Sequence, residues 1–135
     1  MFGSGSASGS LIRRWLPPVL WASLILSLSL LPDAFFYFGV PRTREARRTH
    51  YYLEVAVHVF QFGVFFMLMN RPLRSAHRSR GGALVSAFAF VLLLSLTNES
   101  LQALTPTRMF DFEDMAMDAL GGLVGLGLAL ARGTT

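Results

Sequence analysis

Residues 98–118 read NESLQALTPTRMFDFEDMAMD, and this stretch decides the fold. It carries Glu99, Gln102, Arg108, Asp111, Glu113, Asp114 and Asp118, which include five of the chain's eight acids. Yet it lies between two apolar runs, residues 82–97 and 115–131. Thr105-Pro106-Thr107 at its centre is a turn signal, because proline fixes φ and does not continue a helix comfortably. The pattern is one apolar helix, a polar turn, and a second apolar helix coming back. Charge is costly where hydrocarbon is the solvent, so ionisable residues at such a place are functional candidates by default.

Two more apolar runs precede these, at residues 15–31 and 51–69. Each of the four is near the ~20 residues needed to cross a bilayer. Bare backbone polar groups are not tolerated in lipid, so the runs should be helices. Composition agrees: 53% of residues are hydrophobic, 15% are charged and mean hydropathy is +0.48, whereas a soluble domain carries about a quarter charged residues. The expected fold is all-α, a polytopic membrane protein with a four-transmembrane-helix bundle over residues 15–131. Residues 1–14, opening MFGSGSASGS, are expected to form a flexible Gly/Ser-rich tail. Arg13 and Arg14 ahead of an apolar run resemble a signal peptide. However, Pro32-Asp33-Ala34 before Phe35-Phe36-Tyr37-Phe38 is not a small-residue cleavage site, so the run is read as a retained span.

There is no cysteine, which excludes disulfides, thiolate metal sites and thiol nucleophiles. All twelve basic residues are arginine, and the formal charge is +4. These arginines fall in short links between apolar runs, a pattern of membrane topology and not of nucleic-acid binding. With four spans, one face holds Arg13, Arg14, Arg71, Arg74, Arg78, Arg80 and Arg132 and no acid. The other holds Arg42, Arg44, Arg47, Arg48 and Arg108 with all eight acids. Basic residues mark the cytoplasmic side, so both termini are expected in the cytoplasm of a bacterial inner (plasma) membrane. The polar stretch then faces outward. Asp33, Glu54, His58, Glu99, Gln102, Arg108, Asp111 and Asp114 would share one depth at that face.

Several constellations stand out. Glu54, His58 and Gln61 lie at i, i+4 and i+7, on one helical stripe. They read either as a polar stripe facing the bundle or as a Glu54–His58 pair at a wet helix end. Glu99 and Gln102 end the third run, and a buried carboxylate there needs a partner. Arg108, with its planar fork, is the expected one. Asp111, Asp114 and Asp118 share a face of the fourth helix. Asp111 is a candidate cap with Asp114 in a capping-box-like position, and Asp118, a turn deeper, is read as a binding-site residue or as pairing between helices. Gly121 and Gly125 form a GxxxG pair continuous with the Asp118 face. They suit packing inside the bundle, or alternatively a homodimer. The RTREARR cluster at 42–48 is read as a solvated loop.

The run Glu99-x-x-Gln102, Pro106-x-Arg108-x-x-Asp111-x-x-Asp114, then Gly121 and Gly125, resembles the signature of the VanZ-like family. Glu54-x-x-x-His58 resembles that family's acid-Lys-x-x-His motif. Val55 stands where the family has lysine, and Asp118 where it commonly has asparagine. The family takes its name from an accessory protein of glycopeptide resistance that gives low-level teicoplanin resistance. Most members have no assigned biochemical activity. The resemblance therefore implies a cell-envelope membrane protein and no particular reaction.

Three roles fit the polar residues. The first is binding: Arg108, held by Glu99, Gln102, Asp111 and Asp114, engages an anionic membrane lipid or lipid-linked precursor headgroup. The second is an enzyme, in which Glu54, Glu99, Asp111, Asp114 and Asp118 with His58 hold a hard cation and act on a phospholipid or lipid-linked glycan. No nucleophile motif, P-loop or tight metal spacing supports it, and neither a cofactor nor a metal site is expected. The third is structural, with a Glu99–Arg108 pair locking the helices.

Overall fold

The computed structural model describes residues 5–31, 43–106 and 108–133. Among these, all regular structure is α-helical: α1 (Gly5–Ser29), α2 (Arg44–Ala76), α3 (Arg80–Gln102) and α4 (Phe112–Ala131). All four are long and apolar enough to cross a membrane. At 33 residues, α2 is roughly 50 Å long at ~1.5 Å per residue, so it projects beyond a ~30 Å hydrocarbon layer.

That projection changes the reading of the 42–48 cluster. Arg44, Arg47 and Arg48 are not in a loop but in the first turns of α2. Thr43 caps the helix, its Oγ1 accepting the Ala46 N–H at 3.1 Å, and the Arg48 guanidinium lies 5.6 Å from the Tyr52 ring centre. Arg42 and Asp33 lie outside the described residues. Likewise α1 begins at Gly5, within the stretch expected as a tail. The apolar run thus extends its helix backward past Trp15, and residues 10–14 of that extension are exposed.

Packing is closest between α2 and α4, and α1 touches α2 and α3 but not α4 among the described residues. Glycines explain the closeness. A Cβ on Gly121 would stand 2.6 Å from the Val59 carbonyl oxygen, and one on Gly125 would stand 2.9 Å from that of Gly63. In lipid, helices associate through such close approach and not through apolar burial, because the solvent is itself apolar. Gly121 and Gly125 therefore face α2 of the same chain. The core proper is Phe62, Phe65, Phe66, Met69 and Leu73 of α2 against Ala83, Leu84, Ala87, Val91 and Leu94 of α3.

At the other end of the bundle, Arg80 closes α4. Its Nη2 donates to the carbonyls of Ala129 (2.8 Å) and Leu130 (3.2 Å), and its Nη1 to that of Gly133 (3.3 Å). Ala129 and Leu130 lie in the last turn, where carbonyls run out of helical donors, and a cation there also suits the helix dipole.

Candidate functional site

The α2–α4 seam fixes the centre of the site. One turn or so above Gly121 and Gly63, Asp118 is fully buried where α2, α3 and α4 meet. Its Oδ1 lies 2.7 Å from His58 Nδ1. Its Oδ2 accepts the Ser95 hydroxyl at 2.7 Å. One carboxylate thus ties three helices and fixes the His58 ring. With Nδ1 held, Nε2 points the other way, 3.9 Å from Asp114 Oδ2, too far for a hydrogen bond.

The next layer is the start of α4. Asp111 is the N-cap, its Oδ1 accepting the Glu113 N–H at 2.7 Å. The Asp111 N–H itself goes to Glu99 Oε2 at 3.0 Å. In a capping box the residue three positions into the helix reaches back to that N–H. Here a carboxylate from α3 takes the task, and Asp114 stays free to face His58. Glu99 is fully buried and its other oxygen, Oε1, has no hydrogen-bond partner among the described residues.

Arg108 completes the turn. Its N–H bonds to the Thr105 carbonyl at 3.2 Å, and Nη1 donates to Gln102 Oε1 at 3.0 Å. No carboxylate lies within 4.0 Å of it among the described residues, so the expected Glu99–Arg108 pair is not formed. The guanidinium instead leans on a neutral amide, and its Nε is buried without a partner among the described residues.

These side chains border a cavity of about 730 Å³, its wall including His50, Glu54, His58, Gln102, Arg108 and Asp114. Leu53, Val57, Met109, Phe110 and Phe112 supply its apolar parts. Glu54 is half-exposed and pairs with His50 at 3.2 Å. It does not pair with His58, the partner that the i,i+4 spacing equally allowed. Among the described residues, no group of three His, Asp or Glu side chains is placed to hold a metal ion.

The structure therefore brings Gln102, Arg108, Asp111, Asp114, Glu54 and His58 to one cavity, with Glu99 and Asp118 buried behind it. Sequence reading missed Ser95 and Gly63. The signal for Ser95 was present: Ser95, Asn98, Glu99 and Gln102 lie at i, i+3, i+4 and i+7, and all four are buried. They continue the apolar stripe of Ala87, Val91 and Leu94.

A family model described as VanZ/LLP1 matches residues 14–132. No curated protein and no solved structure matches the chain. The family match covers most of the sequence, and the chain belongs to the VanZ/LLP1 family as a multi-pass membrane protein.

Proposed function

We propose that this VanZ/LLP1 protein is a cell-envelope accessory protein that binds the anionic headgroup of a membrane lipid or lipid-linked precursor. It resides in the bacterial inner membrane with both termini in the cytoplasm, and its cavity opens at the outer face. One observation carries the reading. Arg108 lines the cavity, and among the described residues its charge is uncompensated by any carboxylate and its Nε is unpartnered. A guanidinium always keeps its charge, and its fork matches a phosphate or carboxylate in two-point contact. By contrast, Glu54 has His50 and Asp111 has the Glu113 N–H, so these acids are not empty sites awaiting a cation.

The test is native mass spectrometry of protein purified in mild detergent. Wild type should retain a phosphate-bearing lipid, and Arg108→Ala should lose it while keeping its helical circular dichroism. Arg108→Lys should bind about tenfold less, because the planar fork is gone. Equal lipid retention in all three proteins would overturn the proposal.

A second reading rests on His58. With Nδ1 fixed by Asp118, its Nε2 is poised as a general base beside the cavity. Release of headgroup from phospholipid vesicles, lost in His58→Gln, would favour this enzymatic reading over binding alone.

A further inference from the structure

Beside the polar cavity runs a second one of a different character. It has a volume of about 430 Å³ and lies between α1 and α2. Leu24 and Leu28 of α1 form one wall, and Leu53, Val57 and Phe60 of α2 form the other. Leu53 and Val57 border both cavities. The headgroup site is thus adjacent to an apolar groove, and the shared border is one turn of α2.

The groove carries little polarity. The Trp21 indole N–H on its wall is already donated to the Gln61 carbonyl at 2.9 Å. Gln61 itself lines the groove. Three residues beyond His58, it sits ~4.5 Å further along α2. That is where an ester carbonyl would fall if a phosphate were held at the level of His58 and Arg108.

We infer that the ligand is a whole long-chain phospholipid entering sideways from the bilayer, its phosphate at Arg108 and one acyl chain in the α1–α2 groove. This rests on the headgroup reading and names the ligand class for it. Charge complementarity at Arg108 selects the phosphate, and the shared Leu53–Val57 turn favours this groove for the acyl chain over the other apolar groove, lined by Trp15, Phe65, Met69 and Phe90, which has no residue in common with the polar cavity. A free phosphate compound would satisfy Arg108 but leave the groove unused.

Trp21 provides the test. The chain has two tryptophans, and Trp15→Phe leaves Trp21 alone. Phosphatidylglycerol brominated in mid-chain, added in near-stoichiometric amount to protein in detergent, should quench Trp21. Ala56→Phe, which fills the groove from a position outside the polar cavity, should weaken binding at least tenfold. Val85→Phe on exposed α3 surface should leave it unchanged. Glycerol phosphate should bind at least tenfold more weakly than the lipid. Should Ala56→Phe fail to fold, Leu28→Phe fills the same groove from α1. Arg108-dependent lipid binding without Trp21 quenching, and unaffected by Ala56→Phe and Leu28→Phe, would overturn the groove and spare the headgroup site. Glycerol phosphate binding as tightly as lipid would do the same. Absence of any Arg108-dependent binding would remove both.

Discussion

Asp118→Ala should cost this protein about 3 kcal/mol of stability, a figure that follows from its two contacts. Both oxygens make bonds of 2.7 Å, to His58 and to Ser95, at the short end expected of charge-assisted contacts. Such bonds contribute ~1.5–3 kcal/mol each in soluble proteins. In membranes the average is about 0.6 and the maximum about 1.7 kcal/mol, since unfolded helices find other partners. Two bonds at the upper membrane value give about 3 kcal/mol. Complete burial favours the upper value, because alanine leaves His58 Nδ1 and the Ser95 hydroxyl without water to replace the carboxylate. Asp118→Asn keeps one acceptor and the shape, and should cost about 1 kcal/mol. Unfolding by sodium dodecyl sulfate in mixed micelles, followed by circular dichroism, measures both. A double-mutant cycle with His58→Gln should return a coupling of about 1 kcal/mol or more. A loss below about 0.5 kcal/mol for Asp118→Ala, with zero coupling to His58, would refute the idea that this carboxylate holds three helices together.

Gly121→Ala places a Cβ 2.6 Å from Val59 backbone oxygen and should cost ~1–3 kcal/mol by forcing α2 from α4. Gly127→Ala meets nothing within 4 Å and should be neutral or gain ~0.5–1 kcal/mol from helix propensity, so the same micelle titration separates the two. Glu99→Gln retains an acceptor for the Asp111 N–H and should be mild, whereas Glu99→Ala orphans that donor at ~1–3 kcal/mol, read as a lowered thermal midpoint. Arg80→Ala removes the donor to three terminal carbonyls and should speed amide exchange in the last turn of α4 without changing lipid binding at the opposite end.

The helices were legible because hydropathy alone demands them, and their polar ends because charge in such places is rare. Partnership was not legible. His50–Glu54 and Glu54–His58 have the same i,i+4 spacing, and the sequence alone does not choose between them. The choice is made by Asp118, sixty residues from His58, which the glycine seam draws against α2. Only the absence of side chains at Gly121 and Gly125 hints at that seam in the sequence, and its third member, Gly63, has no small neighbour at i+4 to advertise it. Arg108 was matched to Glu99 on charge. The structure gives Glu99 to a backbone N–H because α4 starts directly above it, and a helix N-terminus competes with a guanidinium for the same carboxylate.

Hydrocarbon gives helices little reason to associate through apolar surface, so in a bundle this small the polar side chains must do part of the joining. Each polar group engaged in joining helices is one less for a ligand. Asp118, Ser95 and His58 Nδ1 are engaged with each other. Glu99 Oε2 and Asp111 Oδ1 are engaged with the start of α4, and Gln102 Oε1 with Arg108. What remains on the cavity wall is His58 Nε2, Asp114, the exposed Glu113, the His50–Glu54 pair within α2 and most of the Arg108 donors. Of these, the arginine alone is always cationic, and it is the one whose nearest side-chain partner carries no charge. The fold has anchored Glu99 and Asp118, the two acids it buries, and has left its arginine without a carboxylate partner among the described residues. That asymmetry favours an anion at this site, despite the acids that outnumber the arginine in the sequence around it.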